Sequence, residues 1–151
     1  MQLNHVNHVG ASVRNLDRSI EFYRDLTGGE LEFVNDMYGP GLARITGDEG
    51  VRVRFCLLKL GNTVLELIEW QQPQGEDNTR AGADVGSIHI AFEVSDIYAV
   101  YERLQAKGIE FLAPPHTFTD QDGSSGLKGA TFAYFTDPDG IGLELFQPAK
   151  T

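Results

Sequence analysis

Two histidines and two glutamates, at matching positions of the chain, are the side chains whose types and spacing could do chemistry. His8 and His89 each lie early in one half of the sequence, and Glu66 and Glu144 each lie late in one half, inside the similar apolar runs LELI and LELF. Imidazole and carboxylate groups together suit Zn, Ni, Co, Fe or Mn, and both can transfer protons. These four residues could therefore bind a metal or catalyse proton transfer. The simpler interpretation is that each histidine is a structural residue on a strand.

Both histidines lie in segments that alternate between apolar and polar residues, as half-buried strands do. In residues 87–94 the alternation puts His89 and Glu93 on the face opposite four apolar side chains. In residues 7–13, His8 likewise lies opposite three small apolar side chains. The two segments predict strands with one face available for a site.

The first histidine segment begins a predicted module with the pattern βαβββ at residues 3–69. Asn15 is a plausible N-cap for its helix, and Gly28 ends that helix. A Gly-Asn pair between the last two strands is short enough for a hairpin turn. The predicted elements are a strand at about 3–13, a helix at 15–27, a strand at 30–35, a loop at 36–50 and strands at 51–60 and 63–69.

A second predicted module repeats this order at residues 87–147, after a polar linker at 70–86. Ser95 or Asp96 caps its helix and Gly108 ends it. The predicted elements are a strand at 87–94, a helix at 96–107, a strand at 109–112, a long loop at 113–129 and strands at 130–136 and 141–147. The predicted fold class is α+β, with both modules in one domain over residues 1–151.

The composition restricts the partners and the cellular compartment. The 151 residues include 12 basic and 22 acidic side chains, and the net charge of −10 argues against nucleic acid or an anionic membrane as a partner. The single cysteine, Cys56, cannot form an internal disulfide, which favours a reducing compartment. No secretion signal is recognisable, and no apolar run approaches the roughly 20 residues needed to cross a bilayer. We therefore expect a cytoplasmic protein.

The repeated segments resemble the vicinal oxygen chelate superfamily, which includes glyoxalase I, methylmalonyl-CoA epimerase, extradiol dioxygenases, fosfomycin-resistance enzymes and bleomycin-binding proteins. The resemblance extends over nearly the whole chain and implies two βαβββ modules whose sheets curl around a metal-binding cleft. The segments that carry it are NHVGASV at 7–13, FYRD at 22–25, Glu66, HIAF at 89–92, DPDG at 137–140 and LEL at 143–145.

The resemblance implies that one divalent metal is held by His8, Glu66, His89 and Glu144, because these residues occupy the family's ligand positions. The set is similar to that of bacterial glyoxalases and close to that of the epimerases, which often have an amide in place of Glu66. Carboxylates inside apolar strands would be costly without a partner, which also favours the metal interpretation. The identity of the metal stays open among Zn, Ni, Co, Fe and Mn.

The leading functional hypothesis is a metal-dependent isomerase or lyase similar to methylmalonyl-CoA epimerase or lactoylglutathione lyase. Such an enzyme removes a proton next to a metal-polarised carbonyl, and Glu144 and Glu66 would be ligands and candidate acid–base groups. The expected substrate is a small molecule with two adjacent oxygens. Members of the family commonly form dimers, so a homodimer is also expected.

Two alternatives come from other classes of protein. An extradiol-type Fe(II) dioxygenase is one, although such enzymes normally use only three ligands and Glu66 counts against it. A non-catalytic ligand-binding or antibiotic-resistance protein is the other, although bleomycin-binding relatives lack the ligands that this chain has. Metal content and oxygen uptake would distinguish the three.

Several other polar side chains are secondary candidates. Surface solvation explains the basic ones more simply, and His5 is left out because its strand parity is opposite to that of His8. The secondary candidates are Tyr38, His116 and Tyr134 as lining of a substrate pocket, and Arg52, Arg54 and Lys128 as anion-binding groups.

Overall fold

The structure is a computed structural model that describes residues 4–77, 82–123 and 126–150. The chain divides into two units, Met1–Asp77 and Asn78–Thr151, and the boundary falls inside the predicted linker. Leu3 at the predicted start of the first strand, residues 78–81 of the linker and residues 124 and 125 of the long loop lie outside the described residues. Assignment of the whole chain to one domain stays a prediction.

Unit 1 contains one four-stranded mixed sheet. Its strand order is β1-β4-β3-β2, with β1 parallel to β4 and the other neighbours antiparallel. The elements are β1 (Val9–Ser12), α1 (Leu16–Thr27), β2 (Glu30–Tyr38), α2 (Pro40–Thr46), β3 (Arg52–Lys59) and β4 (Val64–Gln72).

Unit 2 repeats this topology. Its sheet has the order β5-β8-β7-β6, again with the first and last strands parallel. The predicted α+β class and the internal repeat are therefore confirmed. The elements are β5 (His89–Glu93), α3 (Ile97–Ala106), β6 (His116–Thr117), a short 3-10 helix (Asp120–Asp122), β7 (Thr131–Thr136) and β8 (Gly142–Gln147).

Helix α1 begins and ends where the sequence predicts. The Asn15 side chain accepts a hydrogen bond from the Arg18 amide at 2.9 Å, and Gly28 ends the helix in the left-handed conformation with φ of 70°. The first helical amide, at Leu16, donates to Glu69 Oε2 of β4 at 2.7 Å. This hydrogen bond joins the start of α1 to strand β4 of the sheet.

Helix α3 is fastened to its sheet in the same way. Asp96, rather than Ser95, is the N-cap, and its side chain accepts from the Ala99 amide at 3.1 Å. The Ile97 amide donates to the Gln147 side-chain oxygen of β8 at 2.8 Å. Gln147 in unit 2 thus makes the hydrogen bond that Glu69 makes in unit 1.

The predicted loop at 36–50 was wrong, because β2 extends to Tyr38 and α2 follows it. Pro40 has a fixed φ that suits the first turn of a helix, and Leu42 is buried against Val51 and Val53. The Gly and Pro content that indicated a loop therefore marks the two ends of a short helix.

Further boundaries differ from the predicted ones. Strand β1 is shorter than the predicted strand at 3–13, so His8 immediately precedes it. Strand β4 continues to Gln72, into the predicted linker, because it pairs with β3 as far as Arg52. The predicted strand at 109–112 is reduced to a single bridge between Phe111 and Phe135, and β6 forms later, inside the predicted loop.

Membrane insertion through a helix has no support in the described residues, since none of their helices is both long and apolar enough to span a bilayer.

Candidate functional site

In unit 1 the pairing of β1 with β4 brings His8 to Glu66. Gly10 of β1 lies directly opposite Glu66 of β4, and His8 precedes Gly10 by two positions. The His8 Nε2 atom is 3.4 Å from Glu66 Oε2. Gly10 leaves room for this carboxylate, because a Cβ atom there would lie 3.3 Å from the same oxygen.

The contact made by Nδ1 of His8 determines whether Nε2 of the neutral ring is a donor or an acceptor. Nδ1 lies 2.8 Å from Asn7 Oδ1, which can only accept, so Nδ1 is the donor. A neutral His8 therefore has its lone pair on Nε2, facing a carboxylate oxygen. Two acceptors in this arrangement need a proton or a cation between them. A backbone or side-chain acceptor behind the ring is also what metal-binding histidines usually have, so the donor set fits a divalent metal.

In unit 2 the pairing of β5 with β8 brings His89 to Glu144. Ala91 lies opposite Glu144, and His89 lies opposite Gly142. The His89 Nε2 atom is 3.1 Å from Glu144 Oε2. A side chain at position 142 would crowd this histidine, since a Cβ atom there would lie 3.3 Å from the Cβ atom of His89.

Glu144 is 4% exposed, and a third side chain shares its environment. Tyr134 of β7 lies opposite Glu144 in the sheet, with its hydroxyl within hydrogen-bonding reach of the carboxylate. Burial is the main cause of the raised pKa of Tyr134, followed by the negative charge of Glu144 and by hydrogen bonding to its carboxylate. Tyr134 therefore remains a neutral donor at physiological pH.

The predicted ligands thus lie in two pairs, one in each unit: His8 with Glu66, and His89 with Glu144. Within either unit, no group of three or more His, Cys, Asp or Glu side chains among the described residues is close enough to hold a metal. Whether all four act on one ion stays a prediction. Tyr134 was predicted only as lining of a substrate pocket, and its approach to Glu144 was not predicted; the turn between the last two predicted strands is the signal that could have paired these residues.

The basic secondary candidates each have a partner within their own unit. Arg54 donates two hydrogen bonds to Asp17 at 2.9 and 3.0 Å, which lowers the pKa of Asp17. Lys128 forms an ion pair with Asp120 at 2.6 Å. The Arg52 guanidinium lies over the Tyr38 ring, 5.6 Å from its centre. These contacts agree with the simpler interpretation, in which the three bases are surface groups.

His116 also has a partner of its own. Its Nε2 atom lies 3.2 Å from Asp122 Oδ1. The carboxylate of Asp122 accepts hydrogen bonds from the amide and the hydroxyl of Thr119, and these bonds, more than His116, lower the pKa of Asp122. His116 therefore pairs with Asp122 of the short 3-10 helix. Among the described residues, it forms no ion pair with Glu144 or Glu66.

The sequence of this chain is similar to those of characterised epimerases. It is 34% identical to a 2-epi-5-epi-valiolone epimerase from Actinomyces sp over 93% of this chain and 77% of the relative. It is 33% identical to an ethylmalonyl-CoA/methylmalonyl-CoA epimerase from Cereibacter sphaeroides over 96% of this chain and 98% of the relative. Residues 5–145 match the family described as the Glyoxalase/Bleomycin resistance protein/Dioxygenase superfamily.

Solved structures share the fold. A glyoxalase family protein from Bacillus cereus has a TM-score of 0.83 and 21% identity, covering 99% of this chain and 97% of that protein. The fosfomycin resistance protein FosX from Listeria monocytogenes, determined with Mn(II) and a sulfate ion, has a TM-score of 0.60 and 18% identity, covering 99% of this chain and 95% of FosX.

The repeated mixed sheets and the matched His–Glu pairs define a protein of the vicinal oxygen chelate class. The chain belongs to the Glyoxalase/Bleomycin resistance protein/Dioxygenase superfamily. The predicted family is therefore confirmed.

Proposed function

We propose that this protein is a metal-dependent isomerase or lyase that moves a proton on a carbon next to a carbonyl, and more specifically an epimerase. The observation that carries the proposal is the repeated pair in which a histidine Nε2 atom faces a glutamate Oε2 atom, at 3.4 Å in unit 1 and 3.1 Å in unit 2. The identities of 34% and 33% to two epimerases support this reaction over a lyase reaction.

The proposed ligands are His8, Glu66, His89 and Glu144, which together supply two imidazole nitrogens and two carboxylates to one divalent ion. Zn, Ni, Co, Fe and Mn all accept such a mixed set. FosX, which has the same fold, holds Mn(II). The ion held by these four residues would bind a small substrate through two adjacent oxygens.

The chemistry that the metal would supply is polarisation of a carbonyl, which lowers the barrier to loss of a proton from the neighbouring carbon. Glu144 and Glu66 are the candidate groups that accept this proton and return it. Return of a proton to the opposite face of the same carbon inverts its configuration.

Metal analysis of the purified protein, followed by a screen for solvent deuterium exchange, tests the proposal. The screen uses three classes of compound, namely α-hydroxyketones, acyl-CoA thioesters and thiohemiacetals. We expect about one divalent ion per chain and exchange at a carbon next to a carbonyl in one of the first two classes.

Each other outcome identifies a different reaction. Conversion of a thiohemiacetal alone would indicate a lyase. Stoichiometric iron with uptake of oxygen would indicate a dioxygenase and would refute the proposal. Protein that binds small ligands but no metal would indicate a non-catalytic binding protein.

A further inference from the structure

The unit 2 pair is supported by Tyr134 in two ways. Tyr134 lies directly opposite Glu144 in the β7–β8 pairing, with its hydroxyl within hydrogen-bonding reach of the Glu144 carboxylate. Its ring also meets the His89 ring edge to face, with the ring centres 6.0 Å apart and the planes at 87°. One side chain therefore contacts both members of the pair.

Unit 1 has no such support at the matching place. The residue of β3 that lies opposite Glu66 is Leu57, which has no hydrogen-bonding group. The Glu66 side chain is also more exposed, at 19% against 5% for Glu144. The two pairs are therefore supported differently: Asn7 contacts the histidine of unit 1, whereas Tyr134 lies beside both members of the pair in unit 2.

We propose that Tyr134 is a positioning residue that donates a hydrogen bond to Glu144 and packs on His89, and so holds both in the orientation in which they bind the metal. This inference rests on the proposed function, because it concerns the same metal. A carboxylate has two oxygens and about four acceptor directions, so Glu144 can accept from Tyr134 and bind a cation together. Hydrogen-bond partners of this kind change metal affinity by about 10- to 100-fold.

The ring and the hydroxyl of Tyr134 can be tested separately. Tyr134→Phe removes only the hydroxyl, and Tyr134→Leu gives unit 2 the residue that unit 1 has at the matching place. Tyr98→Phe is the matched control, since Tyr98 lies on α3 and is about half exposed. The measurement is the dissociation constant for Mn²⁺ and for Zn²⁺, obtained by competition with a chelator of known affinity. The melting temperature of each metal-free protein is recorded alongside.

We expect Tyr134→Phe to weaken binding of both metals by about tenfold and Tyr134→Leu to weaken it further. Tyr98→Phe should bind as the unchanged protein does. A purely structural tyrosine would lower the melting temperature of the metal-free protein and leave affinity unaltered in the folded fraction. Affinity within about twofold of the unchanged protein in Tyr134→Phe would overturn the inference.

Failure of the proposed function gives a different result. In that case the unchanged protein itself binds neither metal, and the inference falls together with the function. Metal binding by the unchanged protein, with no effect of Tyr134→Phe, refutes the role of Tyr134 alone.

Discussion

Glu66 and Glu144 occupy the same place in their sheets but have different neighbours. Each carboxylate faces a histidine Nε2 atom. The residue directly opposite on the neighbouring strand is Leu57 for Glu66 and Tyr134 for Glu144. Glu144 is also the more buried of the two. The two carboxylates therefore need not share one role, and substitution of each by an amide distinguishes ligand from base.

At the scale of single residues, His89→Ala should remove most of the bound metal. The substitution deletes one of two imidazole ligands and leaves the buried Glu144 without its histidine partner. Metal content is measured by elemental analysis of protein purified from metal-supplemented medium. His116→Ala is the control, because His116 is paired with Asp122 and should not affect metal content. A His89→Ala protein with full metal content would show that His89 is a structural residue.

Glu144→Gln should lower turnover far more than metal content if Glu144 is the base. Glutamine keeps an oxygen that can coordinate a metal and accept from Tyr134, but it cannot take up a proton. Metal content and the rate of deuterium exchange are measured on the same samples. A pure ligand would lose both in proportion.

Glu66→Gln is the internal control, since the resemblance to epimerases implies that an amide is tolerated at this position. It should therefore retain appreciable exchange activity. Loss of exchange in Glu66→Gln, with activity preserved in Glu144→Gln, would assign the base to unit 1 instead.

The residue types and their repeat were enough to predict the four candidate side chains, because the matched positions are visible in the sequence. The contact of Tyr134 with Glu144 was not predicted, since it depends on the register between β7 and β8. The sequence indicated Tyr134 only as lining of a substrate pocket, without a partner. The engagement of Arg54 by Asp17 likewise depends on how α1 lies on the sheet, which no local pattern encodes.

At the scale of elements, the hydrogen bond between Glu69 and the first amide of α1 predicts that Glu69 can be replaced by the residue type that unit 2 has at the matching place. Glu69→Gln copies the arrangement of unit 2, where Gln147 accepts from the first amide of α3, and should cost less than about 1 kcal/mol. Glu69→Met keeps the size but removes the acceptor, so the Leu16 amide loses its partner. This loss should cost about 1–3 kcal/mol.

Urea unfolding of the metal-free protein measures both changes. Equal loss from the Gln and Met substitutions would show that the charge of Glu69, rather than its acceptor oxygen, stabilises α1. That result would agree with attraction between a carboxylate and the positive end of a helix.

Burial within the sheet of unit 1 makes Cys56 of β3 unreactive. Cys56 is 0% exposed, and its burial is the main cause of the raised pKa of its thiol. The reactive thiolate is therefore scarce at neutral pH, so we expect very slow reaction with a thiol reagent such as DTNB. Full reaction should appear only after unfolding in guanidinium. Rapid modification of the native protein would mean that the sheet opens easily at β3.

Elements with strong local signals were predicted well, and those that depend on tertiary contacts were not. Asn15 and Gly28 define α1 through hydrogen bonding and backbone geometry that are local to the chain. Helix α2 has no comparable signal, because it is stabilised by burial of Leu42 on residues that come later in the sequence. The strand predicted at 109–112 fails for the converse reason, since an apolar run forms a strand only where a neighbour pairs with it.

At the scale of the whole molecule, we predict a homodimer in solution at micromolar concentration, because relatives in this family commonly dimerise. Light scattering coupled to size-exclusion chromatography gives the mass directly. The expected mass is twice the 16.6 kDa of one chain. A mass of one chain at that concentration would contradict the prediction.

The pairing of the first strand with the last in each sheet has a consequence for protein synthesis. Val9 pairs with Leu65, and His89 pairs with Gly142, so each histidine strand waits for the final strand of its unit to leave the ribosome. Contacts between such distant positions form late in folding. Each His–Glu pair is therefore completed only when its whole unit has been translated. A nascent chain truncated before Leu65 has no finished pair with which to capture a metal ion.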